Sequence, residues 1–250
     1  MVFFVEQELT PVSQQTEGSV VSAAPDQIFG SAAKGPELAE ALSETIASIH
    51  QRGWCDGTGG NFSCVIQTEP LTLMMAPSGV NKGRVKTGDL IEVNAAAEVI
   101  SGSGRASAET QLHLAIVEET GAGAVLHTHS QAGTLLSHHY KPGHGLTGHL
   151  MLKDMEMLKG LQGVVTHATS IAVPVFANDQ NIHRLSATVR EHLKEAPHGL
   201  LVSGHGLYAW GKNLGQAERH LEIHEFLLEQ HWRQLLLKSL NQDPEHQTKA

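Results

Sequence analysis

The sequence predicts one α/β domain in which helices cover a sheet of mixed, mainly antiparallel order. Segments with helical spacing alternate along the chain with pairs of short apolar strands joined by turns, which is typical of such a sheet. At 250 residues the chain is long enough for one substantial core. No shift in composition inside it marks a second domain.

The predicted elements follow one another between two polar ends. Pro36 suits a first helical turn, and Ser107 suits the capping position before a second helix. We expect helices at 36–50, 107–119, 180–194 and 214–240, a helical turn at 154–161, and strands at 62–66, 72–75, 90–93, 98–100, 124–126, 170–176, 199–203 and 208–210. The histidine-rich segment 137–149 is predicted to be a loop.

The two ends lack clear hydrophobic periodicity and are rich in polar residues. We therefore expect a flexible leader at 1–31, a catalytic domain at 32–240 and a flexible tail at 241–250.

Charge and composition exclude several classes of protein. The net charge of −9 argues against a nucleic acid or an anionic membrane as the partner. The two cysteines, Cys55 and Cys64, form neither a metal-type pair nor a disulfide framework. No signal peptide and no membrane-spanning stretch is recognisable. We expect a cytoplasmic protein.

The strongest chemical signal is His127-Thr128-His129, which ends an apolar, β-branched run. Residues i and i+2 of a strand point to the same side, so both imidazoles can face one ion. A third histidine, His205, stands between two glycines in a distant turn. Three neutral imidazoles with an open fourth position are typical of a catalytic zinc-type site. The chain holds 17 histidines, so ordinary core histidines are the alternative interpretation.

Two glycine-rich segments form the second signal: the first glycine loop, residues 56–63, and the second glycine loop, residues 76–82. Glycines let a backbone fold closely around an anion, which suits a phosphate group. The candidate phosphate-binding residues are Thr58, Gly59, Gly60, Asn61, Ser78, Gly79 and Lys82. Either loop alone is better interpreted as an ordinary turn. Together with a metal site they indicate a small phosphorylated ligand.

Five segments taken in order resemble the class II aldolase/adducin-head superfamily over about residues 36–237. These segments are Gly57–Ser63, Ala76–Gly79, Ser107–Thr110, Gly123–Ser130 and Gly204–Gly211. Within the superfamily, Met155-Glu-Met-Leu-Lys-Gly160 is similar to a stretch of the methylthioribulose-1-phosphate dehydratases, with Met155 in place of a glutamine.

The resemblance implies a three-layer α/β/α fold that assembles into tetramers, with active sites near subunit boundaries. It implies that His127, His129 and His205 hold one zinc ion per subunit and that the two glycine loops bind the substrate's phosphate.

Two carboxylates match catalytic positions of the superfamily. Glu156 matches the proposed acid/base of the dehydratases. We expect it to be the base, with Glu109 less important, and to have a raised pKa if methionines partly bury it. The alternative for Glu156 is a solvated surface pair with Lys159. Glu109 matches the base of the sugar-phosphate aldolases, and its alternative is a carboxylate favoured by a helix N-terminus.

The implied reaction is dehydration of 5-methylthioribulose 1-phosphate to 2,3-diketo-5-methylthiopentyl 1-phosphate in methionine salvage. A carboxylate removes the proton beside the carbonyl, and the next hydroxyl leaves as water. Two alternatives stay open. One is a class II aldolase or epimerase acting on a sugar phosphate of the L-fuculose or L-ribulose type. The other is a non-catalytic binding protein like the adducin head.

Overall fold

A nine-stranded sheet with helices on both faces forms the body of the chain. The structure is a computed structural model that describes residues 35–143, 145 and 147–242. The predicted leader at 1–31 and residues 243–250 of the predicted tail lie outside the described residues. Residues 241 and 242 still belong to the last helix.

The elements alternate much as the hydrophobic spacing predicts. The helices are α1 Gly35–Gln51, α2 Thr110–Thr120, α3 Gln131–His139, α4 Ile182–Arg190 and α5 Leu214–Gln242. The strands are β1 Asn61–Thr68, β2 Leu71–Met75, β3 Ile91–Asn94, β4 Val99–Ser101, β5 Ala124–Thr128, β6 Thr147–Lys153, β7 Ser170–Phe176, β8 Gly199–Val202 and β9 Gly206–Gly211. None of the helices in the described ranges is both long enough and apolar enough to cross a membrane.

The strand order is β4-β3-β2-β1-β5-β9-β8-β7-β6. Every neighbouring pair is antiparallel except β7 and β8, which are parallel. The predicted mixed, mainly antiparallel sheet is therefore confirmed. Its centre is β5, which is buried along its whole length and lies between β1 and β9.

Residues of the central strands alternate between two hydrophobic clusters, one on each face of the sheet. On β5, Leu126 packs in a cluster with α1, α3 and α5, whereas Val125 packs in the cluster with α2 and α4. Leu207 and Tyr208 of β9 divide in the same way. Successive side chains of a strand point to opposite faces, so both faces of this sheet are covered. The three-layer α/β/α arrangement is confirmed.

The prediction of a loop across residues 137–149 is wrong at both ends. Helix α3 continues to His139, and β6 begins at Thr147. The start of α3 is stabilised by Ser130, whose hydroxyl accepts a hydrogen bond from the Gly133 amide at 3.0 Å. Strand β6 lies at the edge of the sheet and buries mainly Leu150 and Leu152. So short an apolar pattern, among histidines and glycines, is hard to recognise without its partner β7.

Two other helix boundaries also differ from the prediction. Helix α2 begins at Thr110 and not at Ser107, whose hydroxyl instead accepts a hydrogen bond from the Glu109 amide in the preceding turn. Helix α4 is shorter than predicted and is capped by Asn181, which accepts a hydrogen bond from the Arg184 amide. The helical turn predicted at 154–161 is a short 3₁₀ helix, Glu156–Gly160.

Helix α5 is attached to the sheet through buried histidines that are not metal ligands. His220 Nδ1 donates to the Trp210 carbonyl at 2.7 Å, and His224 Nε2 donates to the Pro197 carbonyl at 2.9 Å. A Cβ on Gly199 would lie 2.5 Å from His224 Nε2, so the helix approaches the sheet very closely there. Burial lowers the pKa of His224 to about 4.

This buried, neutral His224 predicts a loss of stability in acid. In the unfolded chain a histidine binds its proton near pH 6.5, so the contribution is full above that value and is lost as the pH falls towards about 4. We expect His224→Gln, which keeps an N–H donor, to remove at most roughly 3 kcal/mol of this pH dependence. Urea unfolding at pH 7, 6 and 5 measures it. The exposed His183→Gln should follow the parent, and an unchanged slope in His224→Gln would contradict the assignment.

Candidate active site

Three histidines from two parts of the chain meet at the carboxyl end of the central strand β5. His127 is the penultimate residue of the buried strand β5, His129 follows two residues later, and His205 lies in the turn between β8 and β9. His127 Nε2 lies 2.8 Å from His129 Nε2 and 3.3 Å from His205 Nε2. Their ligand atoms all lie within 4.8 Å of one another, which is close enough for one ion.

The surroundings of His127 prepare it for this role. Its Nδ1 must carry the proton, because it donates to the Leu207 carbonyl at 2.8 Å, and this leaves the Nε2 lone pair facing the other two histidines. The ring of Tyr208 stacks on that of His127 at 3.8 Å between centroids. Complete burial lowers the pKa of His127 well below its usual value, so the ring is in the neutral form that binds metals. The donor set fits a metal ion with an open coordination position.

Glu109, just before α2, points at the same place. Its Oε1 lies 2.9 Å from His205 Nε2 and 3.9 Å from His127 Nε2, and its other oxygen accepts a hydrogen bond from Asn61. Burial raises the pKa of this carboxyl. The hydrogen bond from His205 and the electrostatic influence of the neighbouring histidine rings outweigh that effect and lower the pKa to about 2. Glu109 is therefore a carboxylate held in contact with the triad by its neighbours.

The first glycine loop packs directly against the histidines. A Cβ on Gly59 would lie 2.9 Å from His129 Nδ1, and a Cβ on Gly60 would lie 2.9 Å from the His127 carbonyl oxygen. Gly60 also has a φ of +79°, which other residues rarely adopt. Only glycines allow this approach, so a ligand on this loop lies beside the triad. The contact of Asn61 with Glu109 links the same loop to the carboxylate.

The second glycine loop contributes a hydroxyl and an open backbone. The Ser78 amide donates to the Arg105 carbonyl at 2.9 Å, which leaves the side-chain hydroxyl as the group that can meet a ligand. Gly79 has a φ of +76° and open space where a side chain would begin. Lys82 is placed differently from the expectation, because its side chain is 1% exposed and its ammonium contacts backbone carbonyls.

A cavity of about 950 Å³ opens beside the triad and the second glycine loop. Ser78, Glu109 and His205 lie on its wall. Sequence reasoning missed several other lining residues, including Arg105, Ser107, Gln111, Gln180 and His183. They come from loops and from the starts of α2 and α4 and show no common spacing, so only the folded chain brings them together.

Glu225 on α5 is a second residue that sequence reasoning missed. It is 2% exposed and accepts a hydrogen bond from the hydroxyl of Thr128, the residue between the two histidines of β5. Burial raises its pKa to about 7, although hydrogen bonds from Ser130 and Thr128 oppose that rise. A helical residue 97 positions further along the chain thereby fixes the turn that carries His129.

Glu156 does not join the other predicted site residues within the chain. Its side chain is 67% exposed, and it contacts Lys159 and His167. The condition for a raised pKa, partial burial by methionines, is not met within the chain. The hydrogen bond from Lys159 lowers the pKa of Glu156, and the charges of Lys159 and His167 add to that effect.

The sheet topology places Glu156 far from its own triad. From β5 through β9, β8 and β7 to β6 the pairings are antiparallel, antiparallel, parallel and antiparallel. The end of β5, where the triad lies, is therefore on the same side of the sheet as the start of β6. Glu156 follows the end of β6, so it lies at the opposite ends of the strands from the triad. Four strand spacings also separate β5 from β6, which is roughly 19 Å.

The triad geometry predicts the effect of removing one ligand. We expect His127→Ala, His129→Ala and His205→Ala each to lose a bound divalent ion, since two imidazoles hold such an ion weakly. Elemental analysis of metal-replete protein gives the ion content per chain. The exposed His139→Ala is the matched control and should keep the parent's content. Full metal content in all three variants would contradict the site.

Comparison with known proteins agrees with the geometry. The family model described as Class II Aldolase and Adducin N-terminal domain matches residues 8–232. The chain is 41% identical over 191 residues to a methylthioribulose-1-phosphate dehydratase of Methylococcus capsulatus, which covers 75% of this chain and 89% of that protein. It is 38% identical to the Serratia proteamaculans protein of the same name, with coverage of 80% and 96%.

Solved structures show the same fold. The L-fuculose-1-phosphate aldolase of Thermus thermophilus superposes with a TM-score of 0.60 at 26% identity, over 83% of this chain and 98% of that one. Family match, sequence relatives and fold all agree, and the chain belongs to the class II aldolase and adducin N-terminal domain family.

Proposed function

We propose that the protein is a metal-dependent hydro-lyase of methionine salvage that dehydrates 5-methylthioribulose 1-phosphate to 2,3-diketo-5-methylthiopentyl 1-phosphate. One observation carries this proposal: a carboxylate and three imidazoles meet beside the first glycine loop, next to a cavity whose wall includes Ser78, Glu109 and His205. The dehydratases of Methylococcus capsulatus and Serratia proteamaculans, each at about 40% identity, support this choice of substrate.

The proposed resident ion is one Zn²⁺ per subunit, held by His127, His129 and His205. Neutral imidazole nitrogens are common zinc ligands, and three of them leave a position open for substrate. When bound, such an ion supplies Lewis-acid polarisation of a ketose carbonyl. A cytoplasmic location belongs to the same proposal, and the two free, buried cysteines suit a reducing compartment.

The proposed substrate pose follows from the two loops. Thr58, Gly59, Gly60 and Asn61 of the first glycine loop and Ser78 and Gly79 of the second would hold the phosphate through N–H and hydroxyl groups. Because Gly59 lies against His129, the carbonyl one carbon away from the phosphate ester would then face the triad. Glu109 is in place to remove the proton from the next carbon. The hydroxyl beyond that carbon leaves as water once it receives a proton.

We propose that Glu156 of another copy of the chain takes part in these proton transfers as the second carboxylate. Glu156 lies at the opposite ends of the strands from its own triad, so it can act beside a triad only across a subunit boundary. We propose a homotetramer, the assembly that the family resemblance implies, since it would provide such boundaries. Exposed apolar side chains on α5, including Phe226, Leu236, Leu237 and Leu240, offer surfaces for such contacts.

A sugar-phosphate aldolase is the second candidate function. Its support is Glu109, which occupies the acidic position of the aldolases, together with the fold shared with the Thermus thermophilus L-fuculose-1-phosphate aldolase. The retained triad and Glu109 argue against a non-catalytic adducin-head-like protein.

The direct test is incubation of the metal-replete protein with 5-methylthioribulose 1-phosphate. We expect loss of one water and appearance of a diketone phosphate, both measured by mass spectrometry. L-Fuculose 1-phosphate and L-ribulose phosphates are assayed in parallel. Cleavage of one of these, with no dehydration of the methylthio sugar, would replace the proposal with the aldolase function.

Single substitutions separate the roles of the two carboxylates. We expect Glu109→Gln and Glu156→Gln each to lower turnover by about 10²–10⁴-fold while the zinc content stays at the parent level, because each loses proton transfer. Exposed Glu98→Gln is the control.

Mixed oligomers test whether Glu156 acts on a neighbouring subunit. When the Glu109→Gln and Glu156→Gln chains are unfolded together and reassembled, some sites receive an intact Glu109 and an intact Glu156. Activity should then exceed that of either variant alone. Full activity of Glu156→Gln alone would remove Glu156 from the reaction, and no gain in the mixture would reject its action on a neighbouring subunit.

A further inference from the structure

Lys82 is a fully buried cation at the base of the two glycine loops. Its side chain is 1% exposed, although lysine is seldom buried without a charged partner. Its Nζ lies 3.2 Å from the Thr58 carbonyl oxygen, 3.5 Å from that of Pro77 and 3.3 Å from that of Val80. Thr58 belongs to the first glycine loop, whereas Pro77 and Val80 belong to the second. One ammonium group therefore joins two loops that are about twenty residues apart in sequence.

These contacts exclude the direct role that the sequence predicts for Lys82. An ammonium has three N–H donors and no acceptor, and here each donor has a carbonyl oxygen within reach. A phosphate on the outer side of the loops would find no free N–H on this side chain. Lys82 must act through the loops that it joins.

The charge of Lys82 is balanced by nothing in its immediate contacts. The three acceptors are neutral carbonyls, and among the residues that the structure describes no carboxylate forms an ion pair with Lys82. Desolvation by burial lowers the pKa of Lys82, while Glu109 acts in the opposite direction. A buried, unpaired ammonium is costly, and an anion bound at the loops would offset that cost.

We propose that Lys82 is the positioning residue of the phosphate site, which holds the two glycine loops together from inside and gives them the positive charge that attracts the phosphate dianion. The inference rests on the proposed function for the identity of the substrate, but not for the binding of phosphate itself. It assigns to one side chain both the shape and the electrostatics of the site. Loop backbones supply the hydrogen bonds, and Lys82 supplies the charge at short range.

The test uses the metal-replete full-length protein and inorganic phosphate as the probe. Calorimetric titration compares the parent with Lys82→Met, which keeps the aliphatic stem but loses the charge and the donors. We expect the affinity for phosphate to fall at least about tenfold, because a nearby unit charge is removed from a site of low polarity. Lys86→Met, an exposed lysine four residues further on, is the matched control and should stay within about twofold of the parent.

A second measurement separates this role from simple structural support. Hydrogen–deuterium exchange in residues 56–61 and 76–81 should speed up in Lys82→Met and not in Lys86→Met. Turnover should show a raised KM with little change in kcat and an unchanged metal content. A purely structural lysine would lower the melting temperature but leave the phosphate affinity of the folded protein unchanged, which would overturn the proposal.

Further outcomes are equally decisive. If Lys82→Met does not fold, Lys82→Gln keeps two N–H donors without the charge, and parent-like phosphate binding in that variant would overturn the electrostatic role. Absence of phosphate binding by the parent protein would overturn the inference altogether. Phosphate binding that depends on Lys82 in a protein that does not dehydrate the methylthio sugar would sustain the inference and reject the proposed function.

Discussion

The candidate site depends on how closely three backbones approach one another where β1, β5 and β9 meet. A Cβ on Gly206 would lie 1.9 Å from the Thr128 carbonyl oxygen, and Gly59 and Gly60 leave no more room beside the histidines. The pairing of β5 with β9 sets His127 opposite Tyr208 and brings the turn with His205 over the end of β5. Without side chains at these glycines, the strands, the triad and the first glycine loop can share one small region.

Buried polar groups keep that region in place from behind. Lys82 joins the two glycine loops, and Glu225 binds the hydroxyl of Thr128 under the histidine turn. Each is almost inaccessible to water, so each hydrogen bond forms in a medium of low polarity where leaving it unmade is costly. The groups that face the cavity are thus supported by buried ionisable groups that do not reach it, an arrangement common around metal sites.

The two candidate catalytic carboxylates have different neighbours because they lie at opposite ends of the strands. Glu109 comes just before α2 and contacts His205 directly, whereas Glu156 comes after β6, at the other ends of the strands, and contacts Lys159. The local sequence around Glu156 suits either a surface ion pair with Lys159 or a catalytic carboxylate. Its place in the fold decides which neighbours it has. A subunit boundary would bring Glu156 of one copy beside the triad of another, which connects the assembly of this protein with its chemistry.

The sequence by itself determined the local features: the strand alternation, the His-x-His spacing of 127 and 129, and the glycines that allow close backbone contacts. These follow from the geometry of neighbouring residues, which pattern reasoning can describe. It did not reveal α3 and β6, whose short patterns become stable through capping by Ser130 and pairing with β7. It also could not reveal the exposure of Glu156 or the backbone contacts of Lys82. Burial and hydrogen-bond partners are set by residues distant in the chain, so the tertiary structure alone decided which side chains point into the cavity and which support it from beneath.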